Sequence, residues 1–180
     1  MAKRKKMLSD MNASYIQSLM RLIETQSKTT LVRWAIDYAQ EYLLPLFEKY
    51  TEKSDLPADI RPYQALMAAQ AWLEGQIKLP EAKAAILRCH QSARENENSA
   101  AAQAAARAIG QCASTIHSAR HCIGLALYGA LALAYDQLGD DAQWEDLETA
   151  SAAECANMQA ALKKIAIANE TDPARITWHC

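Results

Sequence analysis

The 180-residue sequence is poor in the residue types that build β-sheets. It contains one valine, one phenylalanine and five glycines, against 36 alanines and 19 leucines. Valine and phenylalanine favour strands, whereas alanine and leucine are among the strongest helix formers. The composition therefore predicts an all-α protein, and a chain of this length can bury one core without support from a disulfide or a metal.

The cysteines lack the spacing of a metal or redox motif. There are five, an odd number, and no two are arranged as Cys-x-x-Cys. We therefore expect reduced thiols in a cytoplasmic protein. Long apolar runs are also missing: the longest uncharged stretch, residues 122–135, is shorter than the roughly 20 residues that span a bilayer. No apolar segment follows the basic residues Lys3–Lys6, so we expect neither an export signal nor a membrane partner.

Positive charge is scarce beyond the N-terminus. The formal net charge is −2, and without the four basic residues at positions 3–6 it is −6, from 15 basic and 21 acidic residues. A nucleic-acid-binding surface has an excess of lysine and arginine, so we expect no nucleic-acid partner. No lysine or arginine occurs between His121 and Leu162. This stretch contains seven acidic residues: Asp136, Asp140, Asp141, Glu145, Asp146, Glu148 and Glu154.

Proline and glycine mark the expected helix boundaries. Prolines at positions 62 and 80 are placed as in a first helical turn, and Pro45 is expected to kink or restart the helix that contains it. Gly139 is expected to end a helix over about 119–138. That helix is apolar on nearly all sides, which predicts a central position in the fold.

We predict one compact all-α domain of six or seven antiparallel helices, arranged as a bundle or as a short stack of helical hairpins. The domain covers residues 29–168. Residues 1–28 are predicted to form a basic tail and a short amphipathic helix. Residues 169–180 are predicted to form an extended C-terminal tail, with Ile176 and Trp178 as candidate contacts with the body.

Two helices carry patterns that bear on packing. The helix near residue 30 is predicted to place five apolar or aromatic residues on one face: Leu31, Trp34, Tyr38, Tyr42 and Leu46. The segment AAAQAAARAIGQCASTIH has side chains small enough to let a neighbouring helix pack closely. Its Arg107 is predicted to pair with an acid such as Asp136 or Glu154, with ligand binding as the alternative.

Two histidines lie four residues apart in CASTIHSARHC. A zinc site needs three or four ligands, which His117, His121 and Cys112 or Cys122 can supply in number. Ser118 is expected at a turn between helices, so the two rings lie across a bend rather than on one helical face. We therefore predict a structural histidine pair bonded to free backbone groups at the helix ends, and no cofactor. A metal site formed by these four residues is the alternative, and nothing near the cysteines indicates an activated thiolate.

The acidic run is a candidate partner-binding surface. A negative face steers a basic partner, and an aromatic residue among acids is suited to hold one. Acids in a first helical turn also stabilise the helix dipole, and Trp144 continues an apolar stripe, so a structural role for these residues is open as well. The candidate contacts are Asp140, Asp141, Trp144, Glu145 and Glu148.

Four segments of the chain are similar to a known family: LVRWAIDYAQEYLLPLFEKY, AAAQAAARAIGQCASTIHSARH, GLALYGALALAYDQLG and ANETDPARITWHC. They resemble bacterial immunity proteins that are associated with polymorphic toxin systems, and they cover the chain from about Leu31 to its end. The resemblance implies a helical protein that neutralises a toxin by binding to it. It implies no particular functional residue.

We therefore predict a non-enzymatic immunity protein whose partner is a cognate, basic protein toxin. The alternative is a metal-dependent or small-ligand-binding enzyme that uses the His117/His121 turn. A third hypothesis is a helical scaffold that forms a homodimer through its alanine-rich face.

Overall fold

The computed structural model describes residues 5–8, 10–52 and 57–178. The described residues form seven continuous helices and no strand, which confirms the all-α prediction. Positions 3 and 4 of the basic N-terminal cluster and the last two residues of the C-terminal tail lie outside this part of the chain. The α-helical segments are Ser14–Ile23 (α1), Lys28–Tyr38 (α2), Leu44–Thr51 (α3), Arg61–Leu73 (α4), Leu79–Glu95 (α5), Ala100–Ser114 (α6), Leu131–Leu138 (α7) and Trp144–Ile165 (α8).

Two of the seven helices combine several segments. A π-helical turn, Ala39–Leu43, joins α2 to α3. The 3₁₀ helix Ala119–Ile123, the π-helical turn Leu125–Ala130 and α7 follow one another without a break. Gly139 ends α7, as predicted, with a φ of 86° that favours glycine. No helix in the described ranges is both long and apolar enough to cross a bilayer.

Pro45 accounts for the π-helical turn before α3. Proline has no N–H, and in an α-helix its ring clashes with the carbonyl four residues earlier. Here the N–H of Leu44 donates to the carbonyl of Ala39, five residues back, and Pro45 lies in the first turn of α3. The wider turn also rotates the helix surface. Tyr42, which was predicted on the same face as Trp34, is therefore 43% exposed.

The alanine-rich helix α6 is the most enclosed part of the described fold. Every residue of it except Arg107 and Gln111 is buried, because α2 to α5 and the helix over 119–138 all pack around it. The 119–138 helix, which was predicted to be central, is also buried over most of its length and packs against α2, α6 and α8, but α6 is the more enclosed of the two. The hypothesis of a homodimer through the alanine-rich face finds no open surface there, since the chain's own helices cover this face.

Two glycines, which have no side chain, allow neighbouring helices to pack closely against α6. The His90 ring of α5 lies against Gly110, where an added Cβ would be 2.5 Å from His90 Cε1. Where the 119–138 helix packs on α6, a Cβ added to Gly124 would lie 2.3 Å from the Cβ of Gln111. Both distances are far shorter than a van der Waals contact. At Gly110 the His90 ring would have to move, whereas at Gly124 the close atom is a Cβ, which cannot move without its backbone.

Both ends of the described chain lie against the helical body. The N–H of Leu8, itself 2% exposed, donates to the carbonyl of Leu127 at 2.9 Å. Near the other end, Trp178 Nε1 donates to Glu24 Oε1 at 2.5 Å, and the N–H of Ala174 donates to the carbonyl of Gln26 at 2.8 Å. The C-terminal segment is therefore fastened to the end of α1 and the residues just after it.

We expect Gly124→Ala to lower the free energy of unfolding by about 2 kcal/mol, because overpacking costs about 1 to 3 kcal/mol. Its matched control is Gly129→Ala, whose Cβ would meet the flexible end of Leu43 at 3.1 Å. We expect this control to cost less than about 1 kcal/mol, since a side-chain end can move. Urea unfolding measures both, and equal losses would contradict the close approach of Gly124 to Gln111.

Candidate partner-binding site

The two histidines of the 117–121 turn are brought together by the fold. Their ring centroids are 5.1 Å apart, with the rings edge to face. Nδ1 of His121 lies 2.7 Å from Oε1 of Gln111 on α6, at which distance the ring donates to the amide oxygen. Nδ1 of His117 is buried and has no hydrogen-bond partner among the described residues. The partner of His121 is thus a side chain of α6, not the backbone of a helix end.

The two cysteines beside the histidines are fully buried, and burial raises the pKa of the Cys112 and Cys122 thiols. Within the described ranges, the structure gathers no group of three side chains of the metal-binding types. Burial lowers the pKa of His117, and Lys83 and Lys28 lower it further. The positive charges around the turn disfavour a further cation. Of the four residues of the alternative metal site, the turn brings the two histidines together but supplies no third ligand.

Arg107 does not form either of its predicted ion pairs. Asp136 accepts from Lys49 Nζ at 2.6 Å and from the Tyr50 hydroxyl at 2.9 Å, while Glu154 bonds to other residues of α2 and α8. Arg107 instead lies near His90 and contributes to that ring's lowered pKa, after burial and Arg94.

The predicted acidic surface divides into a structural part and an exposed part. Oδ2 of Asp140 accepts from the N–H of Ala100 at 3.3 Å, which stabilises the start of α6. Glu148 is partly buried, whereas Asp141 and Glu145 are exposed. Asp136 and Glu154 are engaged in contacts within the chain, with Lys49 and Tyr38 respectively. We call the exposed acids Asp141, Glu145 and Asp146 the acidic end of α8.

Trp144 is partly buried and packs against the core. The ammonium of Lys5 lies 3.7 Å from the centre of its ring, a cation–π contact. The hydroxyl of Tyr135 donates to the carbonyl of Lys5 at 2.8 Å and holds the segment there. The predicted aromatic contact is therefore covered, at least in part, by the basic N-terminal segment of the same chain.

A groove that the sequence did not reveal lies between the π-helical turn and α8. It consists of two adjoining hollows of about 210 and 300 Å³. Tyr38 and Tyr42 line both, with ring centroids 4.5 Å apart and a tilt of 39°. Three acids are also part of the lining, Asp37 and Glu41 in one hollow and Glu154 in the other, and Lys164 lines both. We call this feature the tyrosine groove.

The histidine pair yields a pH prediction. Burial lowers the pKa of His121 to about 4, with contributions from His117, Arg120 and His90. The unfolded chain binds this proton near pH 6.5 and the folded chain resists it. We therefore expect the free energy of unfolding to fall as the pH drops from about 6.5 towards 4. NMR titration of the ring protons measures the pKa, and His121→Gln is expected to weaken the pH dependence. Titration of His121 near 6.5 would contradict the packing described.

The comparisons with known proteins give one match. The family model described as "Imm-5 like putative immunity protein" matches residues 21–166. No curated protein and no solved structure matches the chain significantly. The matched range includes α2 to α8, and with them the histidine pair, the acidic end of α8 and the tyrosine groove. The chain belongs to the Imm-5 like family.

Proposed function

We propose that this chain is an immunity protein that binds a cognate, basic protein toxin in the cytoplasm and holds it inactive. Membership of the family carries the proposal. The four described cysteines, all free and buried, are consistent with a reducing compartment. Binding without catalysis requires a preformed surface, and a body of helices packed around α6 supports one, because little ordering is then needed on association.

Electrostatics supports a basic partner. The acidic end of α8 carries three exposed carboxylates, and no lysine or arginine follows within the helix until Lys163. Such a surface accelerates the encounter with a positively charged protein and loses this effect as salt screens it. Lys5 lies on the neighbouring Trp144 and offsets part of the charge, so Asp141 and Glu145 are the proposed contacts at this end.

Co-expression tests the proposed function. The proteins encoded on either side of the gene for this chain are each produced in a bacterial host that lacks all three. We expect one of them to arrest growth, and the same protein to be tolerated when this chain is produced with it. A stable complex of the two purified proteins is the expected biochemical counterpart. Failure of this chain to relieve any arrest would overturn the proposal.

We expect the double variant Asp141→Lys/Glu145→Lys to bind the toxin about tenfold more weakly at low salt, mainly through slower association. The difference shrinks at about 0.5 M salt, where screening is strong. Glu74→Lys, an exposed reversal just after α4, is the control and is expected to have little effect. Surface plasmon resonance at two salt concentrations measures both variants. If the double variant and the wild type associate with the toxin at equal rates, the acidic end of α8 is not part of the interface. The immunity proposal itself would be unaffected.

A further inference from the structure

We propose that the tyrosine groove binds an arginine side chain of the toxin, with Tyr42 and Glu154 as the contacts that hold it. This inference rests on the proposed function. It adds to the proposed toxin interface a second contact surface, separate from the acidic end of α8. The groove combines a fixed carboxylate, an exposed aromatic face and an excess of negative charge.

Glu154 is held in place before any partner arrives. The hydroxyl of Tyr38 donates to Oε1 of Glu154, and Nδ2 of Asn157 donates to Oε2 at 3.1 Å. Each carboxylate oxygen can accept a second hydrogen bond. A guanidinium presents two parallel N–H groups that match a carboxylate, so a positioned Glu154 is suited to bind it with both oxygens.

The two tyrosines supply a wall for the same ligand. Tyr38 is 6% exposed and carries the contact with Glu154, whereas Tyr42 is 43% exposed. A guanidinium stacks on an aromatic face, and arginine does so better than lysine because its charge is planar and weakly hydrated. The position of Tyr42 follows from the π-helical turn, a type of irregularity that is frequent at functional sites.

Charge in the groove favours a cation. Asp37, Glu41 and Glu154 line the hollows against one basic residue, Lys164. Burial raises the pKa of the Asp37 carboxyl, although Arg33 opposes this effect. A partly desolvated carboxylate gains from a cation placed beside it. Each hollow, at about 210 and 300 Å³, has room for a single side chain.

A hexaarginine peptide tests the groove without the toxin. We expect its addition to the ¹⁵N-labelled full chain at low salt to shift the NMR signals of Tyr38, Tyr42, Glu154 and Asn157. Tyr42→Ala and Glu154→Gln are each expected to weaken peptide binding about tenfold, as the loss of a stacked or bidentate contact implies. The matched control is Tyr63→Ala on α4, which removes a tyrosine that is 45% exposed and is expected to change nothing.

A fourth variant gives a change of opposite sign. Lys164→Gln removes the one basic residue that lines the groove, and we expect it to tighten hexaarginine binding severalfold. A misfolded variant cannot produce this gain. Hexalysine is expected to bind more weakly than hexaarginine, because it cannot form the planar stack.

Three results would overturn the proposal that the groove binds arginine. They are peptide-induced shifts confined to the acidic end of α8, equal effects of Tyr42→Ala and Tyr63→Ala, and hexaglutamate binding at the groove. The toxin complex separates the two proposals. If wild-type chain and both groove variants bind the toxin equally, the groove inference fails and immunity stands. If the wild type binds none of the neighbouring gene products, the immunity proposal fails, and the peptide result still decides whether the groove selects arginine.

Discussion

The close approach of neighbouring helices to the backbone of α6 is the constraint on which the rest of the structure depends. His90 of α5 lies against Gly110 of α6, and Gly124 of the 119–138 helix lies against the side chain of Gln111 on α6. Contacts this short fix how the helices are placed relative to one another, because a packed interior has no room for an added methyl group. The enclosure of α6 therefore fixes the helices packed directly around it, and α8 packs in turn against the 119–138 helix and α2.

This arrangement separates residues that hold the fold from residues that can meet a partner. His90 and His121 face α6, and Asp140 stabilises the beginning of that helix, so these polar groups are used within the chain. Other groups remain exposed, among them residues of the π-helical turn and of α8. Tyr42 and the acidic end of α8 belong to this second set.

Sequence patterns predicted what depends on local chemistry. Composition indicated the all-α class, and Gly139 marked the end of α7. Hydropathy predicted the burial of the 119–138 helix, but it did not reveal that the alanine-rich α6 is more enclosed still, because apolar character does not report how closely alanine lets a neighbour approach. The groove joins Tyr38 to Glu154, 116 positions apart, and no local pattern links them. The one feature of the sequence that pointed to the groove was Pro45 inside an otherwise regular helix. It predicted an irregular turn, but it did not predict that Tyr42 would be exposed there.

Hydroxyl-radical footprinting of the purified chain, alone and in complex with its toxin, tests the central claim most directly. Tyr42 and Tyr63 are almost equally exposed in the free protein, so their oxidation rates provide an internal comparison. The account predicts that the toxin protects Tyr42 and leaves Tyr63 as reactive as before. Protection of Tyr63 with no change at Tyr42 would place the toxin on another face and contradict the account.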